Sequence, residues 1–339
     1  MIAEWSDAAC ETVAAGVYRI PLNLPDNALR AVNVYAVEGE HGLALVDGGM
    51  RTTTALAELD DALSAIGRTH ADVRDVYVTH LHSDHYTMAV ELRRLAGARV
   101  HIGAPEGPGI DTVRSIGSNV AVDYLEHVER GGAPVIAHEA RTQMNGEEFF
   151  PDDWERPDSL LAAGPLRIGG FDAHAVSTPG HTRGHLVYQV PEDGVTFTGD
   201  HVLPTITPSI GFEPGEWNAP LQHFLDSLEL MLEFPDTRML PAHGWATDSV
   251  HERCRDLLGH HENRFGQVVA ALEGAGSRTA LSVAERMPWT RRDRHFGELD
   301  AFNQMIAVCE TLAHLDALVD RGVIATDRAA TGQGFYRAA

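Results

Sequence analysis

The sequence predicts an α/β fold, because short strand patterns alternate with amphipathic helix patterns and polar, chemically reactive side chains follow the strands. In segment 52–66, Leu56, Leu59, Leu63 and Ile66 recur at helical spacing, and the apolar run 76–78 then predicts a buried strand. Histidine and aspartate residues come directly after this strand and after several later ones. Because loops at the carboxyl ends of strands converge in α/β sheets, this order also predicts where a site would form.

The other predicted elements of the first 250 residues follow the same alternation. Three β-type runs lie before the first helix, at 16–21, 33–37 and 43–46. After the strand at 76–78 we predict a helix at 88–95 and a strand at 98–102. Segment 103–159 is less regular, with one helix predicted at 112–130. Four strands follow, at 166–168, 173–176, 186–190 and 195–198. A helix at 220–234 and a strand that ends at 240 complete this part.

The last part of the chain has a different pattern and is predicted to be a second, smaller domain. We place the boundary at 250/251, with a catalytic domain over 1–250, an irregular insert at 103–160 beside its pocket, and a helical domain over 251–339. Helices are predicted at 251–272, 280–286 and 300–321, followed by a hairpin at 323–336, which is the order of a winged helix. Here 11 Arg face 12 acidic residues, so this shape has no basic surplus for DNA.

Composition excludes several classes of function. The formal net charge of −23 disfavours nucleic acid as a partner, since that binding depends on basic residues displacing counterions. All 26 basic residues are Arg, which removes Schiff-base and lysine general-base mechanisms. The three cysteines lack metal or disulfide spacing. The first residues show no basic segment followed by an apolar one, and no run of about 18 apolar residues occurs. We therefore expect a cytoplasmic protein without a membrane partner.

The strongest feature is the run Thr79-His80-Leu81-His82-Ser83-Asp84-His85, which holds three imidazoles and a carboxylate after an apolar strand. Imidazole and carboxylate are ligands for zinc, and also for iron or manganese. The alternative, that these polar residues only cap a helix, is disfavoured by three further turns that each present one such ligand after a strand. Those turns are Thr178-Pro179-Gly180-His181, Thr198-Gly199-Asp200 and Pro241-Ala242-His243-Gly244.

Together these motifs, H-x-H-x-D-H, T-P-G-H-T-x-G-H, T-G-D and P-A-H-G, resemble the metallo-β-lactamase superfamily in its glyoxalase II-like branch, over roughly 16–250. The resemblance implies a four-layer αββα sandwich, and the tail resembles that of a subgroup with a C-terminal winged-helix extension. By position, it implies that one metal is bound by His80, His82 and His181, a second by Asp84, His85 and His243, and that Asp200 bridges them. Asp47 matches the upstream motif that supports the metal loop.

The resemblance implies two divalent metal ions, most often zinc with iron or manganese as alternatives, and a dinuclear hydrolase. A hydroxide bridging the metals would attack a carboxylic ester, thioester or lactone, with Asp84 and Asp200 as catalytic groups. Two alternatives stay open: an endoribonuclease acting on single-stranded RNA, suggested by the tail, and a mono-iron sulfur dioxygenase. The expected partner is a small acyl substrate, and a homodimer is compatible with the resemblance.

Residues around the ligands are predicted from their position in the sequence. His185 follows His181 by four residues and is predicted to support the site rather than to bind metal. For His201, His260 and His261 we predict structural or solvent roles. Arg183, Phe212, Trp217 and Trp154 are the candidate substrate contacts, because they lie in the segments expected to wall the pocket.

Overall fold

The computed structural model describes residues 4–7, 9–25, 29–117, 122–144, 149–211, 213, 215, 217–274, 276–289, 294–329 and 332–338. Two larger sheets and one hairpin are formed by these residues. The first sheet has the order β1-β2-β3-β4-β5-β6-β7. Its strands are β1 (Glu11–Ala14), β2 (Val17–Asn23), β3 (Ala31–Gly39), β4 (Gly42–Val46), β5 (Val73–Tyr77), β6 (Arg99–Gly103) and β7 (Ser159–Leu161).

The first four strands pair antiparallel, whereas β4, β5, β6 and β7 run parallel. The second sheet has the order β12-β11-β10-β9-β8, antiparallel except for the parallel pair of β11 and β12. Its strands are β8 (Gly164–Ile168), β9 (Phe171–Ser177), β10 (Leu186–Val190), β11 (Val195–Gly199) and β12 (Arg238–Pro241). A separate antiparallel hairpin joins β13 (Ile324–Arg328) to β14 (Gly334–Ala338).

Helices cover the outer faces of both sheets. The α-helices of the described residues are α1 (Ala55–Ser64), α2 (Ser83–Ala96), α3 (Gly107–Ile116), α4 (Val122–Arg130), α5 (Pro134–Met144), α6 (Pro220–Met231), α7 (Val250–Leu272), α8 (Ala280–Ala284) and α9 (Ala301–Asp320). Among the residues that the structure describes, no helix is both long and apolar enough to cross a bilayer.

The packing of β3 shows how the layers are built. Its side chains alternate: Val34 and Ala36 join α1 and α2 in one core, whereas Tyr35 and Val37 meet the second sheet in another. Period-two alternation with both faces buried gives a strand that is apolar along its length. A third core packs α6 against the second sheet, so the order of layers is helix, sheet, sheet, helix. This confirms the four-layer αββα sandwich.

The C-terminal helices share that third core with helices of the first 250 residues. Leu257 of α7 and Val308 of α9 belong to the same buried cluster as Leu125 of α4 and Leu228 of α6. The predicted order of three helices and a hairpin is present. The C-terminal region therefore covers one side of the sandwich through a continuous apolar interface.

Two local predictions differ from the structure. Segment 103–160, predicted as irregular with one helix, contains α3, α4, α5 and the strand β7. Gly and Pro residues begin or end these helices: Pro108 and Pro134 lie in first turns, and Gly117 ends α3 in a left-handed conformation. In addition, α2 begins at Ser83, so Asp84 and His85 lie in a first helical turn and not in an open loop.

Candidate metal centre

The candidate ligands follow strands that end at one edge of the sandwich. His80 comes after β5, His181 after β9, Asp200 after β11 and His243 after β12. Because β9 and β11 are both antiparallel to β10, and β12 is parallel to β11, their carboxyl ends point the same way. In the first sheet β4 and β5 are parallel, so Asp47 also lies at this edge. Residues far apart in sequence thereby meet at one place.

Three histidines form the first group. The Nε2 atom of His80 lies 2.9 Å from Nδ1 of His82 and 3.2 Å from Nε2 of His181, and the latter two atoms are 3.0 Å apart. His80 and His181 are buried, while His82 is half-buried. These separations are close to the roughly 3.3 Å expected between two nitrogens on a tetrahedral zinc ion with bonds of about 2.0–2.1 Å. The group could hold one cation.

Asp84, His85 and His243 form the second group, and Asp200 lies between the two. Oδ1 of Asp200 is 3.4 Å from Nε2 of His243 and 3.8 Å from Nε2 of His85. Its other oxygen, Oδ2, is 3.7 Å from Nε2 of His181 in the first group. Asp84 faces the second group, with Oδ2 3.5 Å from Nε2 of His243. All seven predicted ligands are brought together, and Asp200 has one oxygen towards each group.

The outward-facing ring nitrogens show why the inward-facing ones need a cation. Nδ1 of His181 lies 2.7 Å from the Ser209 carbonyl, and Nδ1 of His243 lies 2.7 Å from the Ala31 carbonyl. A carbonyl only accepts, so each Nδ1 donates and each Nε2 retains a lone pair that points inward. Nδ1 of His85 similarly faces Asp47 at 3.0 Å. A metal ion shared by such lone pairs satisfies them, as in other histidine sites.

Burial supports the same interpretation. Nε2 of His85, Oδ1 of Asp200 and Nε2 of His243 are buried and have no hydrogen-bond partner among the described residues. Burial disfavours a charge on His85, but Asp47, Asp84 and Asp200 outweigh it and raise the pKa of His85 to about 10, so a cation bound at its Nε2 would displace a proton. Burial and the nearby His82 lower the pKa of His181 to about 4, so that ring stays neutral. The residues present fit a pair of divalent cations.

Asp47 and His185 contact the ligand loops from behind. Oδ1 of Asp47 accepts from the Thr79 amide at 2.7 Å, and its side chain also faces His85. His185 lies 2.9 Å from the Thr178 hydroxyl through Nδ1, and its Nε2 accepts from the Asp200 amide at 3.2 Å. Both residues therefore lie where support for the site was predicted. His201 and His261 are fully buried and contact Phe224.

The four predicted substrate contacts are placed differently from one another. Arg183 forms an ion pair with Glu213, and its guanidinium lies 5.9 Å from the centre of the Trp217 ring. Trp154 is 7 % exposed and stacks on Tyr86 in the core beneath α2, where its role is packing. Phe212 lies outside the described residues. Trp217 therefore lies near Arg183, two residues after the ligand His181, whereas Trp154 lies in the core.

A cavity of about 60 Å³ adjoins the ligand loop of His181. The segment after Ser209, whose carbonyl contacts His181, forms one wall, and the Gly211 amide donates to the Gly180 carbonyl at 2.9 Å. Apolar parts of α9 and α4 form the opposite wall. Lining residues include Tyr124, Ile210, Gly211, Trp217, Leu312 and Ala313.

Sequence reasoning missed several residues that contact the ligand loops. Glu106 is 1 % exposed and accepts a hydrogen bond from the Thr182 hydroxyl, next to the ligand His181. The half-buried Trp5 lies edge-on to His243, with ring centres 6.5 Å apart. Ser209 and Ala31 contribute only backbone carbonyls, which any residue has. No sequence pattern predicts the positions of these carbonyls. Glu106 is a single glutamate after β6 that belongs to no motif, so nothing in the sequence assigned it a role.

This chain is similar in sequence to several curated proteins whose names refer to lactamases. The Lactamase-like protein aptB of Emericella nidulans is 32% identical over 157 residues, or 46% of this chain and 48% of that protein. This chain thus matches about half the length of such fungal relatives. The Beta-lactamase-like protein 2 homolog of Caenorhabditis elegans is 23% identical over 269 residues, covering 78% of this chain and 74% of the relative.

Among solved structures, a metallo-beta-lactamase family protein from Thermus thermophilus aligns with a TM-score of 0.79 and 25% identity. The alignment covers 97% of this chain and 100% of that one, so the C-terminal helices are included. The fold and the histidine and aspartate cluster are consistent with binding of divalent metal ions. Because the family model of the metallo-beta-lactamase superfamily matches residues 28–243, nearly two thirds of its length, this chain belongs to that superfamily.

Proposed function

We propose that this protein is a dinuclear metal-dependent hydrolase that cleaves a carboxylic ester, a thioester or a lactone. The position of Asp200 is the observation on which the proposal rests: its two oxygens face two separate histidine groups. A mononuclear site would need only one of these groups. The complete set of seven side chains therefore favours two cations over the single iron of a sulfur dioxygenase.

The chain's own residues suit hydrolysis by an activated water. When bound, two divalent cations would lower the pKa of a coordinated water and polarise a carbonyl group. Asp84 is the more accessible carboxylate, with 15% of its side chain exposed against 9% for Asp200. It can accept a hydrogen bond from a water between the two groups and orient that water towards a substrate. No covalent intermediate with a side chain is required.

The cavity beside His181 supports an acyl substrate. Leu312, Ala313 and Ile210 line it, so the C-terminal region supplies apolar surface close to the loop that carries His181, although none of the seven ligand side chains lines the cavity itself. Apolar surface stabilises a hydrocarbon part of a substrate. The described residues that line the cavity include His127 but no Arg, the residue on which a phosphate-binding surface of this chain would depend. The carboxyl groups of Glu213, which is buried, and Asp316, which is exposed, also line the cavity, and a polyanion would have to approach both of them. We therefore favour an acyl substrate over RNA.

The ion pair of Arg183 and Glu213 joins two loops: the one that follows Asp200 and the one that carries His181. The Arg183 amide donates to Glu213 at 2.8 Å in addition to the side-chain ion pair. With its guanidinium engaged, Arg183 shapes the cavity wall through Trp217. We infer that Arg183 organises the pocket, and that an anionic group of a substrate would have to compete with Glu213.

Elemental analysis of the purified chain, combined with a panel of esters, thioesters and lactones, tests the proposal. We expect two metal equivalents per chain and turnover that is lost on chelation and regained with zinc, iron or manganese. Single-stranded RNA is included as the competing substrate. One iron per chain with oxygen consumption on a persulfide, or cleavage of RNA without acyl hydrolysis, would overturn the proposal.

A further inference from the structure

Glu106 is a buried carboxyl group that none of the metal-ligand motifs includes. It ends the short turn Ala104–Glu106 that directly follows β6, and it is 1 % exposed. An unpaired buried carboxyl is costly, so its partners indicate why it is there. Burial raises the pKa of Glu106 to about 8, against the effect of hydrogen bonds from Thr182, Leu81 and Gly184.

These partners belong to the two loops that present the three-histidine group. Leu81, whose amide donates to Glu106, lies between His80 and His82 in the chain. Thr182, which donates its hydroxyl to Oε1 of Glu106, follows His181 directly. One side chain thus contacts both halves of a group whose two loops are distant in sequence.

The packing around Glu106 leaves little room for the His181 loop to move. A Cβ atom added to Gly184 would lie 2.5 Å from Cγ of Glu106, and one added to Gly103 would lie 2.0 Å from the Gly184 carbonyl. Real Cβ atoms do not approach this closely, so these glycines permit direct contact between the turn after β6 and the His181 loop. The second group is held differently, because Asp84 and His85 are on α2 and His243 follows β12.

We propose that Glu106 is a positioning residue, which sets the separation of His80, His82 and His181 by joining their two loops. The inference rests on the proposed metal centre and concerns only its three-histidine group. Glu106 acts on this group through Leu81 and Thr182, which bond to it directly. Replacing partners behind metal ligands typically lowers metal affinity by about 10–100-fold.

The variant Glu106→Gln keeps the shape of the side chain but exchanges one acceptor oxygen for a donor. We expect zinc affinity of the three-histidine group to fall by about tenfold or more. The affinity is measured by competition with a chelating dye in full-length chains that also have either His243→Ala or His181→Ala. We expect the loss of zinc affinity in the His243→Ala background, which retains the three-histidine group. In the His181→Ala background, zinc affinity should change by less than about threefold.

Two further variants keep the result interpretable. Thr182→Val removes one donor to Glu106 without changing shape, and it carries the test by itself if Glu106→Gln does not fold. Glu58→Gln is the matched control, because Glu58, on α1, also accepts hydrogen bonds from a backbone amide, that of Asn23, and from a threonine hydroxyl, that of Thr54. The absorption spectrum of cobalt-loaded protein reports the ligand geometry independently of activity, and should shift for Glu106→Gln and Thr182→Val only.

Unchanged affinity and an unchanged cobalt spectrum in both Glu106→Gln and Thr182→Val would overturn the inference. So would an equal loss in the two backgrounds, or a loss of the same size in Glu58→Gln. These outcomes differ from failure of the proposed function, since in that case the wild-type chain itself would bind no metal pair.

Discussion

Buried histidines occur in two regions of this molecule, and their neighbours differ. In the metal centre, His85 and His243 face Asp84 and Asp200, and their Nε2 atoms point into a common space. In the C-terminal region, Nδ1 of His261 lies 3.2 Å from Nε2 of His314. Nδ1 of His314 donates to the Glu310 carbonyl.

The contrast shows that burial of histidine alone does not indicate a metal site. The carboxylates raise the pKa of His243 despite its burial, whereas burial lowers the pKa of His314 to about 4. The C-terminal rings therefore stay neutral and serve as packing groups between α7 and α9. Convergence with carboxylates separates the first kind of cluster from the second, and the following experiments test that distinction.

Replacing Asp200 with Ala should have the largest effect. It removes the carboxylate that faces both groups, so we expect kcat/KM to fall by more than about 100-fold and metal content to drop from two equivalents. The control is Asp60→Ala, because Asp60 also contacts a histidine ring, that of His70, but on α1. Retention of two metal ions and full activity by the Asp200 variant would contradict the bridging role.

The convergence of the candidate ligands is the feature that the sequence predicted best. His80, His181, Asp200 and His243 each follow a strand, and a fixed direction of strands brings their side chains to one edge of the sheets. Local rules of this kind are visible in a sequence. The position of Glu106 was not predictable, because it depends on the approach of β6 to the His181 loop, a contact between two sheets.

Segment 103–160 shows the other limit of sequence analysis. The helices α4 and α5 are short, and Ile136 and Ala140 of α5 are buried in a core that combines α4 with the distant helix α9. Propensity alone is weak for such helices, since tertiary packing supplies most of their stability. The local pattern therefore predicted one helix at 112–130 where the structure has the end of α3 and all of α4, and it missed α5.

Gly180→Ala should have the next largest effect, because it disturbs the loop of His181 from within. Gly180 has a φ of +150°, and an added Cβ would lie 2.4 Å from the Cα atom of Phe224 on α6. Since backbone cannot yield easily, we expect a loss of roughly 3 kcal/mol in the free energy of unfolding and weaker metal binding. Urea unfolding and dye competition measure these; wild-type values for both would show that the contact is dispensable.

Metal removal should affect the two regions unequally. A ligand present at 100 times its dissociation constant stabilises the folded state by about 2.7 kcal/mol. We expect chelation to lower the Tm by several degrees and to increase amide hydrogen exchange around 79–85 and 178–185. Exchange in the middle of α7 and α9 should change little. Equal increases in both regions would mean that the centre and the C-terminal helices respond as one unit.

The paired histidines of the C-terminal region predict a pH dependence of stability. The folded-state pKa of His314, about 4, lies below its ordinary value of about 6.5, and that of His261 is also well below, chiefly through burial. The unfolded chain thus binds more protons, so stability is full above about pH 6.5 and falls as pH drops towards about 4. Glu310, Arg264 and His260 also face this pair.

The difference in urea stability between wild type and His314→Gln at about pH 7, 6 and 5 isolates this contribution. Each such histidine adds a slope of up to about 1.4 kcal/mol per pH unit within the window. We expect the variant, although less stable at neutral pH, to lose less stability on acidification. Parallel curves for the two proteins would show that His314 does not titrate on unfolding.

Gly259→Ala should have the smallest effect and the opposite sign to Gly180→Ala. Gly259 is an exposed residue inside α7, and apart from its chain neighbours and the backbone of its own helix no atom of the described residues lies within 4 Å of an added Cβ. Alanine costs less conformational entropy in a helix interior, so we expect a gain of about 0.5–1 kcal/mol. Gly266, in the same helix and equally open, should give a similar gain that adds to the first. Metal affinity should stay unchanged in both variants; a loss of stability would place an unrecognised contact on this face of α7.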